Sequence, residues 1–251
     1  VVLSVLAVAF IGLSQAKESL LNKSFKVGSG GTFTLDTDNG SVEVESHESD
    51  TVEILVKKKG RDADSLKIAF TQDGDDVKVT GNKESFSFFN SSSVHFIVKV
   101  PSKYNLDIRT NGGSIAIESL TGKVDAYTSG GSIRLGEIKG DVEIKTSGGS
   151  IKVDEVDGNI KAHTSGGSIN VKFASQPTKD SRLTTSGGSI TAYLIPSIKL
   201  DLYASTSGGR VSSEFDVEGK IKKTKIDGKV NGGGPELTLK TSGGSVRIKA
   251  L

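Results

Sequence analysis

The chain contains no cysteine, no methionine and no tryptophan, and only four prolines and four tyrosines. Without cysteine it has no disulfide, no thiolate metal site and no cysteine nucleophile. Aromatic residues make up 6% of the 251 positions, less aromatic mass than an α/β enzyme usually carries. An excess of one charge is also missing: 32 Lys and Arg face 30 Asp and Glu, for a net charge of +2. That balance excludes nucleic-acid binding by bulk charge. No apolar run reaches the ~20 residues of a membrane span. The nearest is VVLSVLAVAFIGL at 1–13, followed by Ser14-Gln15-Ala16. Small residues at those two spaced positions are what signal peptidase reads, so 1–16 is expected to be a signal peptide and Lys17 the mature start. The mature chain then has no transmembrane helix and is exported to the periplasm, the cell surface or beyond.

Glycine is what the chain has in quantity, 31 residues, and much of it falls in one hexapeptide. TSGGSI stands at 128, 146, 164 and 185, with TNGGSI at 110, TSGGRV at 206 and TSGGSV at 241. The steps between threonines are 18, 18, 18, 21, 21 and 35. A repeat of ~20 residues is the mark of a solenoid, and a Gly-Gly pair in every copy rules out helical repeats. Inside each copy the apolar residues alternate: Ile133 and Leu135, then Val142, Ile144 and Thr146, then Ile151 and Val153. Such alternation makes half-buried strands, two per copy, with a turn at Gly122, Gly140 or Gly158. The expected fold is therefore all-β, a single-stranded β-solenoid of either hand with ~18–21-residue coils. The repeats proper cover 110–251. Residues 17–109 are an irregular β region that continues the solenoid and caps it. FTLDTDNGSVEVES at 33–46 is an early loose copy, and 60–93 reads as capping hairpins. The long copy from Thr206 reads as one coil with a protruding basic hairpin, or as two degenerate coils.

The hexapeptide reads as a corner rather than a ligand motif. Glycines at 112–113, 130–131, 148–149, 166–167, 187–188, 208–209 and 243–244 are expected to turn the chain at positive φ. These are Gly112, Gly113, Gly130, Gly131, Gly148, Gly149, Gly166, Gly167, Gly187, Gly188, Gly208, Gly209, Gly243 and Gly244. Thr110, Thr128, Thr146, Thr164, Thr185, Thr206 and Thr241 share the phase of the inward residues. They should form a buried ladder in which each hydroxyl donates to the next. The serine before Ile or Val faces outward or satisfies backbone groups of the corner.

GSVEV, VKVP, the T-[SN]-G-G-S-[IV] copies and the closing NGGGPELTLKTSGGSVRI together resemble the bacterial putative-adhesin family. Its members are exported β-solenoid domains of unknown function. The resemblance covers most of 25–250 and implies an envelope or surface location with an adhesive role.

Catalytic patterns are sparse. GDD at 74–76 and RIK at 247–249 look like fragments of a pectin-hydrolase signature, but they stand at opposite ends of the chain. Asp75 and Asp76 fit a hairpin turn better. His47, His95 and His163 are far apart and show no zinc spacing, and Asp154, Glu155 and Asp157 read as a solvated turn rather than a calcium loop. One outward column runs Ala116, Arg134, Lys152, Asn170, Thr191, Ser212, Arg247. Another runs Asp107, Asp125, Glu143, Lys161, Arg182, Tyr203, Thr238 and changes sign midway. Such a sign change could dock partners end to end or simply keep the sheet soluble. Ice binding would need outward threonines, and these point inward. The reading is an exported, non-enzymatic binding or structural module with no metal or cofactor. An envelope glycan or another surface protein is its candidate partner. The rival is a polysaccharide-active β-helix enzyme, which would need two carboxylates facing one another across a groove.

Overall fold

The computed structural model describes residues 18–60, 66–83 and 93–251. The segment 1–16, expected to be a signal peptide, and parts of the segment expected to form capping hairpins lie outside the described residues. The N-terminal strands are β1 (Glu18–Lys26), β2 (Thr32–Thr37), β3 (Ser41–His47), β4 (Thr51–Lys59), β5 (Leu66–Asp73), β6 (Asp76–Lys83) and β7 (Ser93–Pro101). Then come β8 (Asn105–Thr110), β9 (Ile115–Ile117), β10 (Leu120–Thr121), β11 (Val124–Thr128), β12 (Ile133–Lys139), β13 (Val142–Thr146) and β14 (Ile151–Asp157). The C-terminal half holds β15 (Ile160–Thr164), β16 (Ile169–Phe173), β17 (Ser181–Thr185), β18 (Ile190–Leu194), β19 (Leu200–Thr206) and β20 (Val211–Ser213). It closes with β21 (Glu218–Lys222), β22 (Lys225–Val230), β23 (Glu236–Thr241) and β24 (Val246–Ala250).

These strands build two 12-stranded sheets. The first runs β1-β4-β7-β3-β9-β12-β14-β16-β18-β24-β20, with β10 beside β12. The second runs β21-β22-β19-β23-β17-β15-β13-β11-β8-β2-β6-β5. Each coil gives one strand to each sheet, and like strands pair in parallel: Thr128 lies beside Thr146, and Thr146 beside Thr164. One face of the stacked coil strands closes on a shared core, as Ile133, Leu135 and Ile138 do from one side and Val142 and Ile144 from the other. Each such side chain contributes ~1.5–3 kcal/mol when fully buried. A single coil has no facing layer to bury against, so the stack is the stable unit.

Stacking order is not chain order. At the C-terminal end the coil β23–β24 sits between β17–β18 and β19–β20. At the other end β2–β3 is enclosed between β6–β7 and β8–β9. The long copy from Thr206 is thus one coil plus a hairpin, and the hairpin does not protrude. β22 runs antiparallel along β19 and buries Ile226 and Val230. Its tip covers the last corner: the carbonyl of Lys223 accepts from Val211 N–H (2.9 Å), as the carbonyl of Arg210 accepts from Val246 N–H one coil deeper. The hairpin stands in for the coil that would otherwise follow.

The opposite end is tied by the β5–β6 turn. Asp75 accepts from the Gly28 amide at 2.6 Å and Asp76 from the Thr32 amide at 2.7 Å. The Tyr104 hydroxyl donates to the Asp75 carbonyl. Burial, then the charges of Asp76 and Asp75, push Tyr104 up to about 12. A group raised in the folded state stabilises it fully below its ordinary value near 10, and that contribution is lost as pH rises through the folded value. Alkaline melts between about pH 10 and pH 12 should therefore show wild type losing stability more steeply than Tyr104→Phe. Parallel curves across that window would remove the tie from the account.

Candidate functional site: the outer face of the second sheet

The repeated hexapeptide is absorbed by the corner. Thr110, Thr128, Thr146, Thr164, Thr185, Thr206 and Thr241 are all buried, but their hydroxyls do not bond one another. Thr128 Oγ1 donates to Gly113 O, Thr146 to Gly131 O and Thr164 to Gly149 O, each at 2.7 Å. In return each accepts the second glycine N–H of its own corner, as from Gly149 to Thr146 at 3.3 Å. Stacked threonines lie one strand spacing, ~4.8 Å, apart, too far for a direct bond, and the carbonyl below fills the gap. The outward serine forms its own column: Ser132 Oγ accepts the Ser150 amide at 3.2 Å and Ser150 Oγ the Ser168 amide at 3.1 Å.

The glycine pairs differ from expectation in the same way. None of the paired glycines, from Gly112 and Gly113 to Gly243 and Gly244, lies at positive φ. Their need is room. A Cβ on Gly131 would overlap the carbonyl of Gly113, and one on Gly149 that of Gly131, the same carbonyls the threonines grip. Positive φ belongs instead to the opposite turn, at 154° for Gly122, 152° for Gly140 and 155° for Gly158. The threonine hydroxyl, the carbonyl that it grips and the amide of the second serine are thus engaged within the stack, which leaves the exposed hydroxyl of the first serine, as at Ser147 and Ser165, as the motif's main group open to a ligand.

The three histidines stay apart. His47 Nε2 bonds Thr51 O at 2.8 Å, His95 Nε2 lies 3.4 Å from Glu43, and His163 Nδ1 bonds Thr184 Oγ1 at 2.8 Å. Asp154 pairs with Lys152 at 2.6 Å. Among the described residues no three His, Asp or Glu side chains are placed to hold a metal ion, and no helix is long and apolar enough to cross a membrane.

What remains is the outer face of the second sheet, where three rows of side chains run across the strands. In stacking order the middle row reads Thr71, Lys78, Thr34, Asp107, Asp125, Glu143. It continues as Lys161, Arg182, Thr238, Tyr203, Asp227, Lys220. The strand order puts Thr238 before Tyr203, inverting chain order. Furrows flank this row. One, of about 550 Å³, is lined by Asp141, Asn159, Lys161 and Arg182; the next, of about 460 Å³, by Asp107, Arg109, Tyr127 and Lys145.

The larger furrow has a built rim. The inserted segment before β17 is fastened by Asn159, whose Oδ1 accepts from the amides of Thr178 (3.0 Å) and Lys179 (2.7 Å). Its Nδ2 donates to Asp141 at 2.7 Å, and Lys179 Nζ reaches the other oxygen of that carboxylate at 3.1 Å. The Asn159 amide, then the Lys179 ammonium, hold Asp141 below the usual carboxylate range. Further along, Tyr203 lies between Lys225 and Lys240, each 4.7 Å from its ring centre. In the acidic half Asp107 is bound by Arg109 at 3.2 Å and Asp125 by Lys123 at 2.7 Å. Glu143, Lys161 and Arg182 carry no ion pair among the described residues. Sequence reasoning missed Asn159; its only trace was Asn where the preceding coils carry Lys123 and Asp141.

The Toastrack family model (DUF4097) matches residues 32–141 and again 136–249. The chain belongs to the Toastrack family. The two matches overlap at residues 136–141 and together run along the continuous stack, and this is the family that its glycine-rich repeats resemble. Among solved structures it is similar to a putative cell adhesion protein from Clostridium sporogenes (14% identity, TM-score 0.42, 94% of this chain and 100% of that one). A putative adhesin from Bacteroides fragilis gives 14% identity and TM-score 0.46 over 94% and 99% of the chains. A putative lipid binding protein from Parabacteroides distasonis gives 16% identity and TM-score 0.39 over 96% and 98%. No curated protein matches this Toastrack chain.

Proposed function

We propose that this Toastrack chain is an exported, non-enzymatic binding module of the cell envelope or surface, and that it binds through the outer face of its second sheet. One observation carries the reading: that face holds furrows beside Lys161 and Arg182, which carry no ion pair among the described residues, whereas the TSGGSI corners offer no charge and spend their threonine hydroxyls internally. Donors and charges repeating at the strand spacing of ~4.8 Å suit a partner that is itself extended. A glycan and peptidoglycan binding screen of the full chain tests this, with a hydrolysis assay on the same substrates. Binding that weakens at least tenfold in Lys161→Ala/Arg182→Ala, without cleavage, is the expected result. Cleavage abolished by Asp141→Asn or Glu143→Gln would establish the polysaccharide-active reading instead. Export has its own test: mass analysis of the secreted protein should find Lys17 at its start. A membrane-bound product that keeps residues 1–16 would overturn that expectation.

A further inference from the structure

The sign change in the middle row falls between β13 and β15, and that boundary is also the midpoint of the sheet. Six strands, β5, β6, β2, β8, β11 and β13, lie on one side; β15, β17, β23, β19, β22 and β21 lie on the other. A twofold axis lying along the strands at this midpoint would set each strand of one copy against its mirror position in another. In the middle row Glu143 then meets Lys161, Asp125 meets Arg182 and Lys78 meets Asp227. The other three matches, Asp107 with Thr238, Thr34 with Tyr203 and Thr71 with Lys220, set a charge or a hydroxyl against a neutral group or a lysine. No like charges meet anywhere in that row, and the twofold doubles each opposite pair.

We propose that this face pairs with the same face of a second copy, antiparallel, about a twofold axis between β13 and β15. The proposal rests on reading the face as the binding surface and names its partner. Side rows add to it and subtract from it. Lys123 falls opposite Asp180 and Asp76 opposite Lys229, while Arg109 meets Lys240 and Asp73 meets Glu218. Arg109 is already engaged by Asp107 at 3.2 Å, which softens the first of those clashes, just as Lys123 on Asp125 and Lys225 on Asp227 weaken two of the middle-row attractions and leave Glu143 with Lys161 as the strongest. The alternative twofold, along the stack, would set Glu143 on Glu143 and Arg182 on Arg182, so charge selects the antiparallel arrangement. An isologous contact of this kind closes at two copies. Twelve strands at ~4.8 Å by five residues at ~3.3 Å offer about 900 Å² per partner, close to the ~800 Å² of a standard interface.

The test is sedimentation equilibrium of the full chain at low and high salt, with two charge-reversed variants. Asp125→Lys/Glu143→Lys makes the centre of the row basic, and Lys161→Glu/Arg182→Glu makes it acidic. Wild type should dimerise, and more weakly at high salt, where screening shortens to a few ångströms. Each variant alone should dimerise at least tenfold more weakly, and an equimolar mixture should recover a heterodimer. Recovery on mixing also shows that neither variant is merely misfolded. A wild type that stays monomeric at low salt overturns the pairing, as do variants that dimerise unchanged or a mixture that stays apart. Glycan binding that depends on Lys161 and Arg182 in a monomeric wild type would overturn the pairing while leaving the binding-face reading intact. A dimer that binds no glycan would support the pairing with the chain as its own partner.

Discussion

Gly131→Ala is expected to lower stability by about 3 kcal/mol or more, while Gly130→Ala, one residue away, should stay within about 1 kcal/mol of wild type. The two glycines share a corner and differ in what lies beneath. A Cβ on Gly130 would stand 3.7 Å from the Gly112 carbonyl, an ordinary contact, whereas a Cβ on Gly131 would overlap the Gly113 carbonyl. That oxygen is main chain and is held by Thr128 Oγ1 at 2.7 Å, so it has no rotamer by which to move aside. Either the two coils separate locally, losing ladder hydrogen bonds, or the corner deforms. At position 130 the new methyl costs little and restricts the unfolded chain, which favours the folded state slightly. Urea melts of the two variants decide it. Equal losses would mean that glycine serves conformational freedom here rather than close stacking.

Thr146→Val should cost about 1–3 kcal/mol, with Thr146→Ser recovering much of it. Valine keeps the volume and removes the hydroxyl. Two backbone groups then lose their partner together, the Gly131 carbonyl at 2.7 Å and the Gly149 amide at 3.3 Å. Both lie at a corner where Thr146 itself is fully buried, so water cannot readily replace the bond. On an exposed strand the same change would be neutral or helpful, which makes its sign informative. A thermal melt showing Thr146→Val as stable as wild type would remove the hydroxyl from the account of the stack.

Much of the fold was legible because stacking writes itself into sequence. Period two fixed which residues face inward, and the threonine register at 128, 146 and 164 matches the strand pairing residue for residue. The partner of the threonine was not legible, because a hydroxyl seen in sequence does not reveal which carbonyl stands below it. Nor was the reason for Gly-Gly: a positive φ and a close backbone approach demand the same residue. The coil order at the ends was hidden for a different cause. Thr206 and Thr241 carry nearly identical motifs, and nothing local distinguishes an end coil from an inserted one. The row of charges could be listed from the sequence, but its symmetry needed the strand order, which brings Lys78 and Asp227 into the row at mirror positions. Asn159 was invisible because its partners, the amides of Thr178 and Lys179, belong to an insertion.

The enclosed final coil has a mechanical consequence. In a solenoid stacked in chain order, the last strand lies on an edge, and tension at the C-terminus peels it away one hydrogen bond at a time. Here β24 is flanked by β18 on one side and β20 on the other, and β23 by β17 and β19. Tension at Leu251 must therefore break the β24–β18 and β24–β20 ladders together before it reaches β23, which is held on both sides in the same way, and it reaches the hairpin β21–β22 only after both. Held on both sides, β24 thus resists unzipping in a way that β1, at the edge of the same sheet, does not.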